Sequence, residues 1–268
     1  MPDLDRVLSG YIGVMERKIA LTNLKSVTGK KILTFAQYAL SIAGTQSVTS
    51  LTGTGGIVIP TLSIILSLVI GAFHPDYNPV KQTISELVYY PQGWLQATDF
   101  IILGIWLTLL ALKCYASFAR KTTTKIAAIL FSVLALGFFT IAICPTNIPG
   151  KELTVRGLIH ERTAQMICGL FPVICSLMIP EFKANKNWNK LIIYTEITAL
   201  IGLVLGITGA AIMITDAPYL GIIERLIFLN AVIWLVIVGV NIILQKPGKQ
   251  NKTHKINHFL RTVHQTTR

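Results

Sequence analysis

The sequence predicts an all-α polytopic membrane protein: a bundle of six spanning helices, a seventh being possible, with both termini in the cytoplasm. Three observations carry that reading. Only 13% of the residues are charged and 52% are hydrophobic, whereas a water-soluble domain carries about 25% charged residues. The apolar residues come in blocks of roughly 17–25, the length a helix needs to cross a bilayer. The basic residues gather on alternate sides of those blocks. Mean hydropathy is +0.61.

Along the chain the blocks fall at about 56–73, 95–118, 126–144, 163–180, 191–214 and 226–244. Water is not available to backbone groups inside the bilayer, so each block is expected to be a helix with its hydrogen bonds made internally. This gives three regions: an N-terminal cytoplasmic or interfacial segment (1–55), the transmembrane helical domain (56–245) and a basic cytoplasmic tail (246–268). Orientation follows from Lys and Arg. With the N-terminus inside, nineteen basic residues fall in inner segments and five in outer ones: Lys81, Lys151, Arg156, Arg162 and Arg225. Cytoplasmic loops carry such an excess. The net charge of +12 therefore has a topological cause. The basic residues are dispersed beside apolar spans, which argues against nucleic acid as a partner. The cell membrane is the expected location.

Before the first span, Leu4, Val7, Leu8, Tyr11, Val14 and Met15 recur at helical spacing, as in an amphipathic helix on the inner leaflet. Residues 33–55 are ambiguous. Leu33–Ala43 is apolar, but a Ser/Thr-rich stretch follows. The expectation is an interfacial or buried helix with a hinge at Gly53, Gly55 and Gly56, the alternative being the seventh span.

Ionisable groups concentrate where the spans end on the outer side. The first outer loop holds His74, Asp76, Ser85 and Glu86, and Asp99 follows in the second span. The next loop leads to His160, Glu161 and Arg162, and the last contains Asp216 before Glu224 and Arg225. Thr83-Ile84-Ser85-Glu86 matches a capping box, in which Thr83 and Glu86 each satisfy the other's backbone amide. That predicts a helix start at Thr83, limited by Pro91. Catalysis is the competing reading, with His74, Ser85, Glu86 and His160 as candidates. No G-x-S-x-G surrounds Ser85. His74, Asp76 and His160 could contribute to a metal site, although no pair of them has the spacing that places two ligands on one helix. His74 opens a Pro-rich loop, which argues against a bis-His haem. Nothing in the sequence requires a cofactor.

Charges at span depth are costly unless partnered. Asp99, Arg162, Glu224 and Arg225, with His160, are therefore expected to face one another across spans two, four and six and to form a polar basin. Arg162 and Arg225 could there hold an anionic lipid headgroup. Gly202, Gly206 and Gly209 give span five a small-residue face, suited to close packing within a protomer or in a homo-oligomer.

Several runs together carry a family resemblance. His74-Pro75-Asp76-Tyr77-Asn78-Pro79, Gln82-Thr83-Ile84-Ser85-Glu86-Leu87, the lone His160, and Gly221-Ile222-Ile223-Glu224-Arg225-Leu226 followed by Trp234 resemble the bacterial and archaeal membrane family called domain of unknown function 998. The similarity runs from about residue 57 to residue 244. It implies a multi-helix membrane domain and no particular reaction. The family often shows an aspartate two residues after the proline that ends span three, where this chain has Asn147. Three functions stay open: binding of a lipid or partner at the outer basin, hydrolysis or transfer at lipid headgroups, and small-molecule transport. Transport is disfavoured because the spans carry neither repeats nor unwound centres.

Overall fold

The computed structural model describes residues 46–245, apart from 119–121, 149 and 216, together with Tyr38. The N-terminal amphipathic stretch, most of residues 33–45, Asp216 and the basic tail lie outside the described residues. Among the described residues there are six long helices: α1 (Gln46–Ala72), α2 (Gly93–Phe118), α3 (Thr122–Ile143), α4 (Val155–Ala184), α5 (Ile192–Thr215) and α6 (Leu220–Leu244). No strand occurs among the described residues. All six helices are long and apolar enough to cross a membrane.

The helices form a closed ring. Each packs on its neighbours in sequence, and α6 returns to pack on α1. Successive helices run antiparallel, forced by short connections later in the chain and shown for α1 and α2 by the Ser63–Asp99 and Lys113–Thr49 hydrogen bonds towards opposite ends of the pair. The segments 73–92, 144–148, 150–154 and 217–219 therefore share one end of the ring, termed here the loop-rich end. The end of α2, the start of α3 and the turn around Asn189–Leu191 lie at the far end. The interior is packed with aromatic and aliphatic side chains. Trp234, 1% exposed, stacks at 6.5 Å on Phe131 and meets Phe171 edge-on at 5.7 Å. Its indole N–H donates to Thr195 Oγ1 at 3.1 Å. The outward faces are apolar, as membrane solvation requires: Leu62, Ile105, Ile129, Ile193 and Ile207 are all exposed. Hydroxyls within the spans largely bond back along their own helix, as the exposed Thr61 does to the Ile57 carbonyl at 2.6 Å, which satisfies the donor without a partner in lipid.

The expected glycine hinge is a correction. Helix α1 passes through Gly53, Gly55 and Gly56 without a break. These glycines are the contact face of α1. A Cβ on Gly55 would lie 2.6 Å from the Trp106 ring, and one on Gly53 would lie 3.1 Å from the Gly239 carbonyl oxygen of α6. Backbone can approach backbone this closely only where side chains are missing. The glycines therefore mark the seam that closes the ring. Trp106 reinforces it from α2, donating its indole N–H to the Thr52 carbonyl at 3.1 Å.

Candidate functional site

The loop 73–92 builds the loop-rich end from local turn chemistry. Asn78 Oδ1 accepts from the Val80 and Lys81 amides at 3.0 and 3.3 Å, the side-chain turn that Asn favours. The capping box then forms as the sequence predicts. The Thr83 amide donates to Glu86 Oε1 at 2.9 Å, and the Glu86 amide donates to Thr83 Oγ1 at 3.3 Å. The helix it starts is a single 3₁₀ stretch, Ser85–Tyr89, ahead of Pro91. Thr83→Ala is expected to destabilise the protein by about 0.5–2 kcal/mol, read as a lower unfolding temperature in detergent; an unchanged midpoint would mean that the box is dispensable.

Helix α6 docks on this loop. The Ile222 amide, one of the first-turn donors without a helical partner, reaches the Val80 carbonyl at 3.0 Å. Glu224 Oε2 accepts from the Ile84 amide at 2.5 Å. Arg225 Nη1 donates to the carbonyls of Pro79 and Gln82, both at 2.8 Å, and to that of Gly221 at 2.9 Å. Its Nη2 donates to the Tyr77 hydroxyl. Tyr77 in turn donates to the Thr83 carbonyl at 2.8 Å. Burial pushes the Tyr77 hydroxyl up to about 12, against the opposing pull of Arg225, so the phenol stays neutral. Adjacent Glu224 and Arg225 thus grip the same loop, one through an amide and the other through carbonyls.

The expected ion-pair net is not what joins the spans, and this is the main correction. Among the described residues one salt bridge occurs, Lys183–Glu196 at 3.7 Å near the far end. Asp99 is buried and turned towards α1, accepting from Ser63 Oγ at 2.7 Å and from Gln96 Nε2 at 3.3 Å. Arg162 is exposed and bonds Gln165 on its own helix at 3.1 Å. The physical reason lies in the non-helical loop backbone, whose carbonyls and amides also need partners at membrane depth. The charges of α6 meet that need, and hydroxyl and amide side chains partner Asp99.

The metal candidates separate. His74 Nε2 lies 2.9 Å from Gln92 Oε1, and its ring stacks on Tyr90 at 4.4 Å. Asp76 is exposed. His160 belongs to α4, on the other side of the loop-rich end. Among the described residues no three His, Cys, Asp or Glu side chains group as metal ligands.

What the fold does bring together is a cleft of about 1410 Å³ between α4 and α5. Its mouth, at the loop-rich end, is lined by Ser85, Glu86, His160, Glu161, Arg162, Lys151 and Glu224. Its walls continue along α4 through Cys168, Gly169, Pro172, Val173 and Ser176, and along α5 through Gly206, Leu203 and Leu200, as far as Glu196. Leu200, Leu203 and Ile207 line it and are 62%, 53% and 63% exposed, so the cleft opens sideways. Three of the four sequence-level catalytic candidates and two of the four basin residues therefore line one cavity. His74, Asp99 and Arg225 do not.

The engaged and unengaged groups at the mouth can be told apart. Glu86 is held by the capping box and Glu224 by the Ile84 amide. Glu161 Oε1 accepts from Asn147 Nδ2 at 2.9 Å. The same Asn147 accepts through Oδ1 from the Thr154 amide and hydroxyl at 2.9 and 3.1 Å, and Thr154 caps α4 by accepting from the Gly157 amide. An amide fits here where an aspartate would not: it accepts from Thr154 and donates to Glu161 at once. Lys151 and Arg162 have no acidic partner among the described residues. His160 is 3% exposed. Its Nδ1 sits 2.6 Å from the Cys144 carbonyl, which can only accept, so Nδ1 carries the proton. Its Nε2 is buried and makes no hydrogen bond. Sequence reasoning missed the cleft, because the residues that wall it are ordinary span residues.

No curated protein and no solved structure is detectably similar to the chain. A family model described as "Protein of unknown function (DUF998)" matches residues 57–241, more than half of the chain, and this chain belongs to that family.

Proposed function

We propose that this integral membrane protein binds a lipid in the α4–α5 cleft, with the headgroup at the loop-rich end. The observation that carries this reading is the two-part chemistry of the cleft: charged and hydrogen-bonding at its mouth, apolar along its length and open to the side. Its volume exceeds the roughly 300–1,000 Å³ of a site for a small soluble ligand. Lys151 and Arg162, cations at the mouth with no acidic partner among the described residues, suit a phosphate-bearing headgroup. Lys151 takes the place given to Arg225 in the sequence reading, since Arg225 is fully used by the loop.

Gly206 provides the test. A Cβ there would meet nothing within 4 Å, so Gly206→Leu fills the cleft without disturbing its neighbours. Lipid retained by the purified protein, read by native mass spectrometry, is expected to fall about tenfold in this variant. Equal retention would remove the cleft as the binding site.

The loop-rich end faces the cell exterior in this reading and both termini the cytoplasm, as the division of basic residues supports. Reporter fusions after Lys121 and Lys252 are expected to be cytoplasmic, and one after Lys151 external. A cytoplasmic signal after Lys151 would reverse the orientation.

A second reading, hydrolysis or transfer at the headgroup, draws on His160. A neutral imidazole protonated at Nδ1 and oriented by a carbonyl offers a lone pair at Nε2, as a general base requires. The Ser85 hydroxyl and Glu86 line the same cavity. His160→Gln distinguishes the two: turnover of a headgroup-labelled lipid lost while lipid remains bound supports catalysis.

A further inference from the structure

The cleft is longer than one leaflet. On α4 its lining runs from His160 to Ile179, and on α5 from Ile214 to Glu196. Either stretch covers about 27–28 Å at about 1.5 Å per residue. A bilayer's hydrocarbon core is about 30 Å thick, so one leaflet supplies about 15 Å. The polar mouth is at one end only. Towards the other end the walls are Val173, Ser176, Ile179, Ala199 and Leu200, and Ser176 turns its hydroxyl back to the Pro172 carbonyl at 2.9 Å, presenting no free donor to the cleft. Glu196, where the cleft stops, is paired with Lys183.

From this we infer that the occupant is a single phosphate-headed lipid whose hydrocarbon chain passes the bilayer midplane, the class of long polyprenyl phosphates, and not a two-chain phospholipid of one leaflet. The inference rests on the lipid-binding reading above and adds the length of the tail. Lipid chains gain little hydrophobic free energy on moving from bilayer to cleft, since both surroundings are apolar. Selection by length must come from packing contact along the far half of the cleft. A phospholipid chain ending near the midplane would leave Ser176 and Leu200 untouched, whereas a long isoprenoid chain would contact both.

The experiment titrates the full-length protein in nanodiscs with a long-chain polyprenyl phosphate and, separately, with phosphatidylglycerol of ordinary chain length. Binding is read by native mass spectrometry for wild type, Gly206→Leu, Ser176→Phe and, in case the last misfolds, Ser176→Leu. Ser176 is exposed, so added bulk enters the cleft and not the core. Expected is preferential binding of the polyprenyl lipid, weakened about tenfold by the Ser176 variants, with phosphatidylglycerol unaffected by them. Equal binding of both lipids, lowered by Gly206→Leu and insensitive to Ser176, overturns the long tail and leaves the cleft reading intact. If neither lipid binds, the cleft reading falls as well. A lipid-free dimer that both Gly206→Leu and Ser176→Phe dissociate would assign the cleft to a second copy of the chain and overturn both.

Discussion

Gly239→Leu is expected to open the ring and leave the protein unable to assemble stably. A Cβ at Gly239 would sit 2.7 Å from the Gly53 carbonyl oxygen and 3.1 Å from the Gly56 carbonyl carbon. These are backbone atoms of another helix, which cannot rotate aside as a side chain can. The helices must separate, and the contacts of the seam are lost together, including the approach of Gly56 to Gly239. Overpacking of a core costs about 1–3 kcal/mol when side chains can adjust, and here they cannot. The measurement is yield of monodisperse protein from membranes, followed by unfolding in detergent. Gly206→Leu, the same substitution at an open position, is the control and is expected to purify normally. Comparable behaviour of the two variants would show that the α1–α6 seam does not hold the ring.

Arg225→Met is expected to have the second largest effect on stability. Its guanidinium answers the carbonyls of Pro79, Gln82 and Gly221 and the Tyr77 hydroxyl. Hydrogen bonds to a charged group contribute about 1.5–3 kcal/mol each. They share one side chain and do not add in full, so a loss of about 3 kcal/mol is the expected scale. Methionine keeps much of the side-chain volume and isolates the polar loss. Gly221 makes the docking possible: a Cβ there would collide with the backbone of Pro79 and Gln82. Loosening of this loop also frees Glu224 and Ile84, so limited proteolysis in the 77–84 segment should accelerate along with the drop in stability. A variant as stable and as resistant as wild type would place the docking energy elsewhere. Arg225→Lys is expected to recover only part of the loss, because an ammonium cannot span carbonyls and a hydroxyl in the planar arrangement of a guanidinium.

The sequence by itself determined the membrane class, the six spanning segments, the family and the capping box. Each is written in local signals: block length, charge counted along the chain, and a four-residue motif whose partners, Thr83 and Glu86, are neighbours. It also placed Glu224, Arg225, His160 and Glu86 at one end of the bundle, because connection lengths fix which loops share an end. What a polar side chain meets there was settled by tertiary structure. Burial cost shows that a charge such as Arg225 must be partnered, but does not say whether the partner is a carboxylate or a turn's backbone carbonyls. Both answer the cost, and the choice depends on where the loop 73–92 lies in space. The glycines show the same limit. Gly53, Gly55, Gly202 and Gly206 look alike in sequence, yet the first two are clasped against Trp106 and Gly239, Gly202 packs near Pro172 and Asn230, and Gly206 faces open space. A missing Cβ permits close approach without requiring it. Which glycines are seam and which are cleft follows from how the ring closes, because the distance between α4 and α5 is set by every other helix in it.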